Sequence, residues 1–433
     1  MLNKLLKNKI AKNASWLIFG QIAQMMISFI VGVLTARYLG PARYGLISYG
    51  TAYTAFFSSL CTLGINSVIV KELVNNREKE GVVMGTALVL KALASLFSCF
   101  TIAAIVSIMD KNDSMVILIT IICSISLFIN VLDTFKYWFQ SYLKSKFPAI
   151  LGIIAYAITA AYKVILIITK QNVVWFAFSL SIDYLCIGVG LFFIYKKQGG
   201  QRLKVSWLYA KQILKKSMHF VLPSLMVAIY AQTDKIMLKK MLGETEVAFY
   251  SIAVTLSSMW CFVLQAVIDS LYPSIMEAHK EGNRESYLQK NKLLYAIVFY
   301  MSIGVAILYC IFAKPMVRIL YGTEYLPVVA PLRIVTWYTT FSYFGVARNA
   351  WIVCENKQRY LLALYLSAAV ANICLNCLLI PRFGSIGAAY SSLLSQIVSS
   401  IVVPMFMKEF RPNVRLITEG ILLKGVFSKR KKL

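Results

Sequence analysis

Ten ionisable side chains sit inside long apolar runs of this 433-residue chain: Lys91, Asp133, Lys136, Lys163, Asp183, Asp234, Lys235, Asp269, Arg333 and Arg348. At the centre of a membrane helix such a group costs about 2.5–3.5 kcal/mol on insertion scales, so it faces protein or a water-filled cavity rather than lipid. Six of the ten are cations and four are acids. A cationic cavity suits an anion. A guanidinium presents a planar fork that grips two phosphate oxygens at once, which an ammonium cannot do. Arg348, Arg333, Lys91 and Lys235 are therefore the expected cavity-lining, substrate-binding residues. Asp234, beside Lys235, and Asp269 are the acids at which a proton or sodium ion could bind. An ion pair is the plainer reading of Asp234, and solvation near a helix end the plainer reading of Asp269. Asp133 and Lys136, three apart on one helix, read as a structural pair. For Arg348 the competing reading is a pair with Glu355, two turns away.

Covalent chemistry has no support. The two histidines, His219 and His279, lie outside any motif, and no phosphate-binding glycine loop occurs. All nine cysteines fall in apolar stretches. Cys374 and Cys377 form a C-x-x-C without further Cys or His ligands near them, which points to buried thiols rather than a metal centre. No cofactor or metal is expected.

The elements that must hold these residues are membrane helices. Hydrophobic residues make up 59% of the chain and the mean hydropathy is +0.69. A bilayer core takes roughly 20 apolar residues per helix. Unalternated runs of that length mean helices, since lipid-exposed backbone must satisfy its own hydrogen bonds. Twelve spans are expected, at 14–38, 45–69, 82–109, 114–138, 148–169, 173–195, 217–242, 248–275, 292–313, 328–354, 361–380 and 386–407. With flanking residues counted in the loops, 30 of the 45 Lys and Arg fall on the side of the termini and 9 on the other. That bias predicts cytoplasmic termini. It also explains the net charge of +27 without nucleic acid, anionic inner-leaflet headgroups being the better partner.

The chain reads as two lobes of six spans, residues 1–195 and 217–407. A basic cytoplasmic linker at 196–216, with the character of an interfacial helix, joins them, and a basic tail follows at 408–433. Aligning Gly243 with Gly40 at an offset of 203 brings Pro223 onto Gly20, Lys240 onto Arg37 and Ser251 onto Ser48. Both halves start on the same side, so the repeat is parallel. Proline lacks a backbone donor and glycine adds backbone freedom, so Gly20 and Pro223 are the expected helix-hinge pair. Polar stripes recur at helical spacing: Gln21, Gln24 and Ser28; Thr62 and Asn66; Asn130, Asp133, Tyr137 and Gln140; Gln265 and Asp269.

Five segments in order carry a resemblance: TARYLGPARYGLISYG (Thr35–Gly50), TDKIMLKKMLGETEVAFYSIA (Thr233–Ala253), LYPSIMEAHKEG (Leu271–Gly282), YGTEYLPVVAPLRI (Tyr321–Ile334) and PRFGSIGAAYSSLLSQ (Pro381–Gln396). The chain resembles the O-antigen and exopolysaccharide lipid-linked repeat-unit flippases of the multidrug/oligosaccharidyl-lipid/polysaccharide exporter superfamily. Ala248 departs from the glycine that this family often has there. The resemblance implies an all-α membrane protein with a V-shaped pair of six-helix lobes in a bacterial inner membrane. It implies a polyprenyl-diphosphate-linked glycan as substrate, alternating access as the motion, and other polysaccharide-assembly proteins as partners. A multidrug or organic-cation antiporter of the same superfamily is the alternative. That function would need an acid-lined cavity. An enzyme acting on the same lipid would need a long outer loop, which the span pattern does not leave.

Overall fold

The computed structural model describes residues 2–426, and the side chains among them other than those of residues 2–12, 14, 67, 219, 220 and 223. The first elements are α1 (Leu2–Cys61), α2 (Ile65–Asn75), α3 (Glu80–Met109), α4 (Ser114–Ile129), a tight 3-10 segment (Asn130–Thr134), α5 (Phe135–Ser141), α6 (Lys146–Ile168) and α7 (Val173–Lys197). Then come α8 (Trp207–Leu242), α9 (Glu244–Ser258), α10 (Cys261–Lys280), α11 (Arg284–Tyr321), α12 (Val329–Cys354) and α13 (Leu361–Ile397). A π-helical segment (Val398–Val402), α14 (Val403–Phe406) and α15 (Arg411–Ile421) complete the described chain. Among the described residues there is no strand. Two compact units divide the chain, Met1–Ala228 and Ile229–Leu433.

Among the described residues seven helices are long and apolar enough to cross a membrane, or eight if the bent pair α9 and α10 is one span. Two of them, Ser15–Cys61 and Gln358–Phe406, run to 47 and 49 residues, about twice the length a bilayer needs. Each breaks at a glycine, Gly40 (φ 72°) and Gly384 (φ 58°). The second therefore holds two of the expected spans, and the first holds one and most of another, 45–69, which ends in α2. The expected spans within α8 and α12 lie in helices too polar to qualify by composition.

The glycines of the repeat themselves carry its backbone breaks. Gly40 (φ 72°, ψ 169°) and Gly243 (φ 99°, ψ −178°) share a conformation that only glycine adopts readily. Pro41 follows the first as a helix starter, and Glu244 and Glu246 open α9 after the second, where acids suit the positive helix end. A hinge at Gly20 stays a proposal. Gly20 lies within the helical part of α1, where a Cβ would come 2.8 Å from the Ala149 Cβ of α6. Its missing side chain permits close helix packing. The assignment of α8 continues through Pro223, whose side chain lies outside the described residues. We expect Gly20→Val to destabilise the first unit by about 1–3 kcal/mol through overpacking, read as a lower melting temperature in detergent. An unchanged melting temperature with altered transport would favour the hinge.

The 196–216 linker is held rather than loose. Residues 201–206 form a strap along the start of α3: the Lys204 amide donates to the Gly81 carbonyl (3.0 Å) and the Ser206 amide to Thr86 Oγ1 (3.1 Å). Buried Glu80 accepts from the Gln201 amide, Trp138 Nε1 and Tyr142 Oη at 3.1, 3.0 and 2.8 Å. Residues 207–216 already belong to α8, with Ala210 and Ile213 in the core of the first unit. Tyr209 Oη and Lys216 Nζ donate to Glu72 at 2.6 and 2.7 Å. Burial alone would raise the Glu72 carboxyl, yet hydrogen bonds from Lys216, Tyr209 and Asn76 hold it below the usual range.

In the tail, the apolar face of α15 is covered by protein. Phe410, Leu416 and Ile417 pack with Tyr295 of α11 and with Phe344 and Trp351 of α12. Lys292 and Arg415 both pair with Glu419, at 2.6 and 2.7 Å. Lys429, Arg430, Lys431 and Lys432 lie outside the described residues.

Candidate functional sites

In the first unit the polar stripes converge on a cavity of about 200 Å³ lined by Ser58, Thr62, Asn66, Lys91, Asn130, Asp133, Lys136 and Tyr137. Local breaks make it. After Cys61 the backbone turns left-handed at Leu63 and Gly64, and α2 restarts at Ile65, which aims Asn66 at α3. The loosened backbone is satisfied locally: the Ile65 amide donates to the Thr62 carbonyl at 2.8 Å. Interrupted helices at membrane depth are tolerated where protein or a water-lined cavity surrounds them. On the other side α4 tightens into the 3-10 segment, where residues three apart eclipse and Asn130 and Asp133 share one edge.

Lys91 Nζ, buried, donates to Asn66 Oδ1 at 2.7 Å. It also lies 5.1 Å from the Tyr137 ring centroid, and Lys136 Nζ lies 5.2 Å from the same ring. Two ammonium groups thus share one aromatic face system, an arrangement stabilised by cation–π attraction. Lys136 is paired with Asp133. Lys91 has no ion-pair partner among the described residues. The Asp133–Lys136 pair also lines a neighbouring cavity of about 420 Å³ with Gly20, Gln21, Gln24 and Gln140. The sequence placed Lys91 in a cavity, and it lines one. It set Lys136 and Asp133 aside as structural, although the Asn130–Tyr137 stripe already carried the signal.

In the second unit a carboxylate is enclosed. Asp234 on α8 is 1% exposed. Its Oδ1 accepts from the side-chain amides of Asn372 (2.9 Å) and Asn376 (2.7 Å), and its Oδ2 from the hydroxyls of Tyr250 and Ser392. Four donors fill the acceptor capacity of an ionised carboxylate. The Gly384 break makes this possible, because α13 presents Asn372 and Asn376 before the break and Ser392 after it. Glu246 accepts from the Ser385 amide (2.6 Å), capping the restarted helix. The expected ion pair is corrected: Asp234 is held by neutral donors, and half-buried Lys235 makes no ion pair among the described residues. Neighbours on a helix point in different directions.

Arg348 departs furthest from expectation. It is 2% exposed in the core of the second unit. Its Nε donates to Asn413 Oδ1 of α15 (2.8 Å), a terminal nitrogen donates to the Ser400 carbonyl in the π-helical segment, and the guanidinium lies 6.0 Å from the Phe410 ring centroid. Asn413 in turn donates to Tyr295 Oη at 2.6 Å. A π-helical turn disturbs the regular carbonyl ladder, and Arg348 supplies a donor to it. Neither the cavity role nor the Glu355 pair describes this arrangement. Arg333 is exposed on α12, its Nε donating to the Cys310 carbonyl (3.1 Å). Asp269 is exposed and accepts from Gln265 Nε2 (2.9 Å).

Among the described residues no group of three or more His, Cys, Asp or Glu side chains could hold a metal ion. Residues 10–279, more than half of the chain, match the family model for polysaccharide biosynthesis proteins. The chain belongs to this family. Capsular polysaccharide biosynthesis protein CapF of Staphylococcus aureus is 20% identical, over 92% of this chain and 99% of its own. An uncharacterized membrane protein of Methanocaldococcus jannaschii is 24% identical, over 98% of this chain and 89% of its own. Among solved structures, an inward-facing multidrug resistance MATE family transporter of the MOP superfamily superposes with a TM-score of 0.71 at 14% identity, over 92% of this chain and 96% of that one. A MOP superfamily transporter from Pyrococcus furiosus gives 0.63 at 16% identity, over 96% of both chains. This polysaccharide biosynthesis family member is therefore a multi-pass membrane protein with the fold of the MOP superfamily transporters.

Proposed function

We propose that the protein is a flippase that moves polyprenyl-diphosphate-linked oligosaccharide units from the inner to the outer leaflet of a bacterial inner membrane by alternating access, with both termini cytoplasmic. The observation that carries this reading is Lys91: a buried ammonium in a polar cavity, held by the neutral oxygen of Asn66 and with no carboxylate paired to it among the described residues. Such a cation is poised for an anion, and hydroxyls and amides around it suit a glycan. Lys91, with Lys136 beside it, takes the diphosphate in this reading. Lys235 and Arg333 serve as further cations, and Asp234 is the ion-coupling residue. Organic-cation export fits less well, because Asp133, the carboxylate of the Lys91 cavity, is paired with Lys136.

Lys91→Met keeps the side-chain length and removes the charge. In a vesicle assay with headgroup-labelled lipid-linked glycan we expect it to lower the transport rate at least about tenfold, the order of one lost charge-assisted hydrogen bond. Lys91→Arg should retain most of the rate. Wild-type transport by a folded Lys91→Met protein would sink the assignment of this cavity.

A further inference from the structure

One face of α3 runs Gly81, Gly85, Leu88, Val89, Ala92, a spacing that keeps all five in line along a helix. The 201–206 strap lies over the two glycines, where any Cβ would meet its backbone. Beyond the strap the same face opens into a groove of about 490 Å³, lined entirely by apolar side chains that include Leu88, Ala92, Phe128, Phe135, Phe192 and Leu203. Phe128, Leu185 and Leu203 are 45%, 47% and 39% exposed, so the groove is open along its length.

Its strap end is cationic. Arg202 and Lys204 flank Leu203, both are exposed, and neither side chain has a hydrogen bond or ion pair among the described residues. Their backbone is fixed by the bond from the Lys204 amide to the Gly81 carbonyl. Lys196 Nζ lies 4.5 Å from the ring centroid of Phe192, which lines the groove. A soluble anion would use these cations and leave the apolar groove unfilled. An uncharged hydrocarbon would do the reverse. An amphiphile with a phosphate at one end matches both. A volume of about 490 Å³ is enough to seat a single hydrocarbon chain.

We infer that this groove seats an acyl chain of an anionic membrane phospholipid, with the lipid phosphate on Arg202, Lys204 and Lys196. The inference depends on membrane insertion and not on the flippase reading. The strap that joins the last helix of the first unit to α8 is then in direct contact with lipid, and anionic headgroups are attracted by about 1 kcal/mol per Lys or Arg near the surface.

The test uses the delipidated full-length chain in neutral detergent, titrated with dioleoyl phosphatidylglycerol or dioleoyl phosphatidylcholine and read by native mass spectrometry. We expect one phosphatidylglycerol retained in preference to phosphatidylcholine. The double variant Arg202→Glu/Lys204→Glu should weaken that retention at least about tenfold. Ala92→Phe, which fills the groove, should abolish it. Leu203→Asp on the exposed strap gives a second groove variant where Ala92→Phe lowers the melting temperature. Equal retention of the two lipids, or wild-type retention in both the charge and the groove variants, overturns the inference. So does displacement of phosphatidylglycerol by equimolar polyprenyl diphosphate, which would assign the groove to the transported lipid. None of these outcomes touches the Lys91 transport assay, so the two readings fail separately.

Discussion

Arg348→Ala should destabilise the second unit by about 3–5 kcal/mol, the order of two lost charge-assisted hydrogen bonds in a buried site. For a unit of this size that corresponds to a melting temperature lower by roughly 6–20 °C. The guanidinium ties four elements together: it sits on α12, donates to Asn413 on α15 and to the Ser400 carbonyl in the π-helical segment, and reaches Tyr295 on α11 through Asn413. Alanine leaves the Asn413 and Ser400 oxygens without their donor in a buried core and opens a void beside Phe410. The C-terminal helix should loosen first, because Asn413 is its fully buried polar contact with the core. Limited proteolysis within 411–421 and thermal melting in detergent read both effects. Arg348→Lys should recover only part, since one ammonium cannot span both acceptors. A folded Arg348→Ala protein with wild-type melting and a protected C-terminal helix would end the anchor role and return Arg348 to the substrate.

If Asp234 is the proposed coupling residue, Asp234→Asn should leave the second unit folded while lowering transport and removing any dependence of it on an ion gradient or the membrane potential. The isosteric amide can offer its oxygen to Asn372 and Asn376 and its NH₂ to the hydroxyls of Tyr250 and Ser392, which can turn to accept. Asp234→Ala is the structural control. It orphans four buried donors at about 1–3 kcal/mol each and should unfold the unit. Unchanged transport and unchanged potential dependence in Asp234→Asn would reduce Asp234 to a packing element.

Much of this was legible in the sequence. Apolar run length announced membrane helices, and the offset of 203 found Gly40 and Gly243, the two residues that break their helices in the same way. Lys91 stood out because a buried cation without a neighbouring acid has few structural excuses. The partners were hidden by distance along the chain. Asn372, Asn376 and Ser392 lie 138, 142 and 158 residues from Asp234, and neutral side chains raise no alarm in an apolar run. The partners of Arg348 were hidden too: one is the Asn413 side chain 65 residues on, and the other is a main-chain carbonyl in a π-helical segment, which leaves no mark in residue types. Gly20 reads as a hinge in the sequence because freedom and close approach both select glycine, and the neighbour Ala149 shows only in the structure.

The Asp234 enclosure also sets an order of events during synthesis. When α8 leaves the ribosome, Tyr250 is only 16 residues behind, but the first asparagine is 138 residues behind. At about 5–20 residues per second that delay is roughly 7–30 s. Throughout it α8 carries an acid with at most one hydroxyl to satisfy it, a burden of about 2.5–3.5 kcal/mol if the helix is already across the bilayer. The enclosure of Asp234 is therefore complete only once α13 has been made.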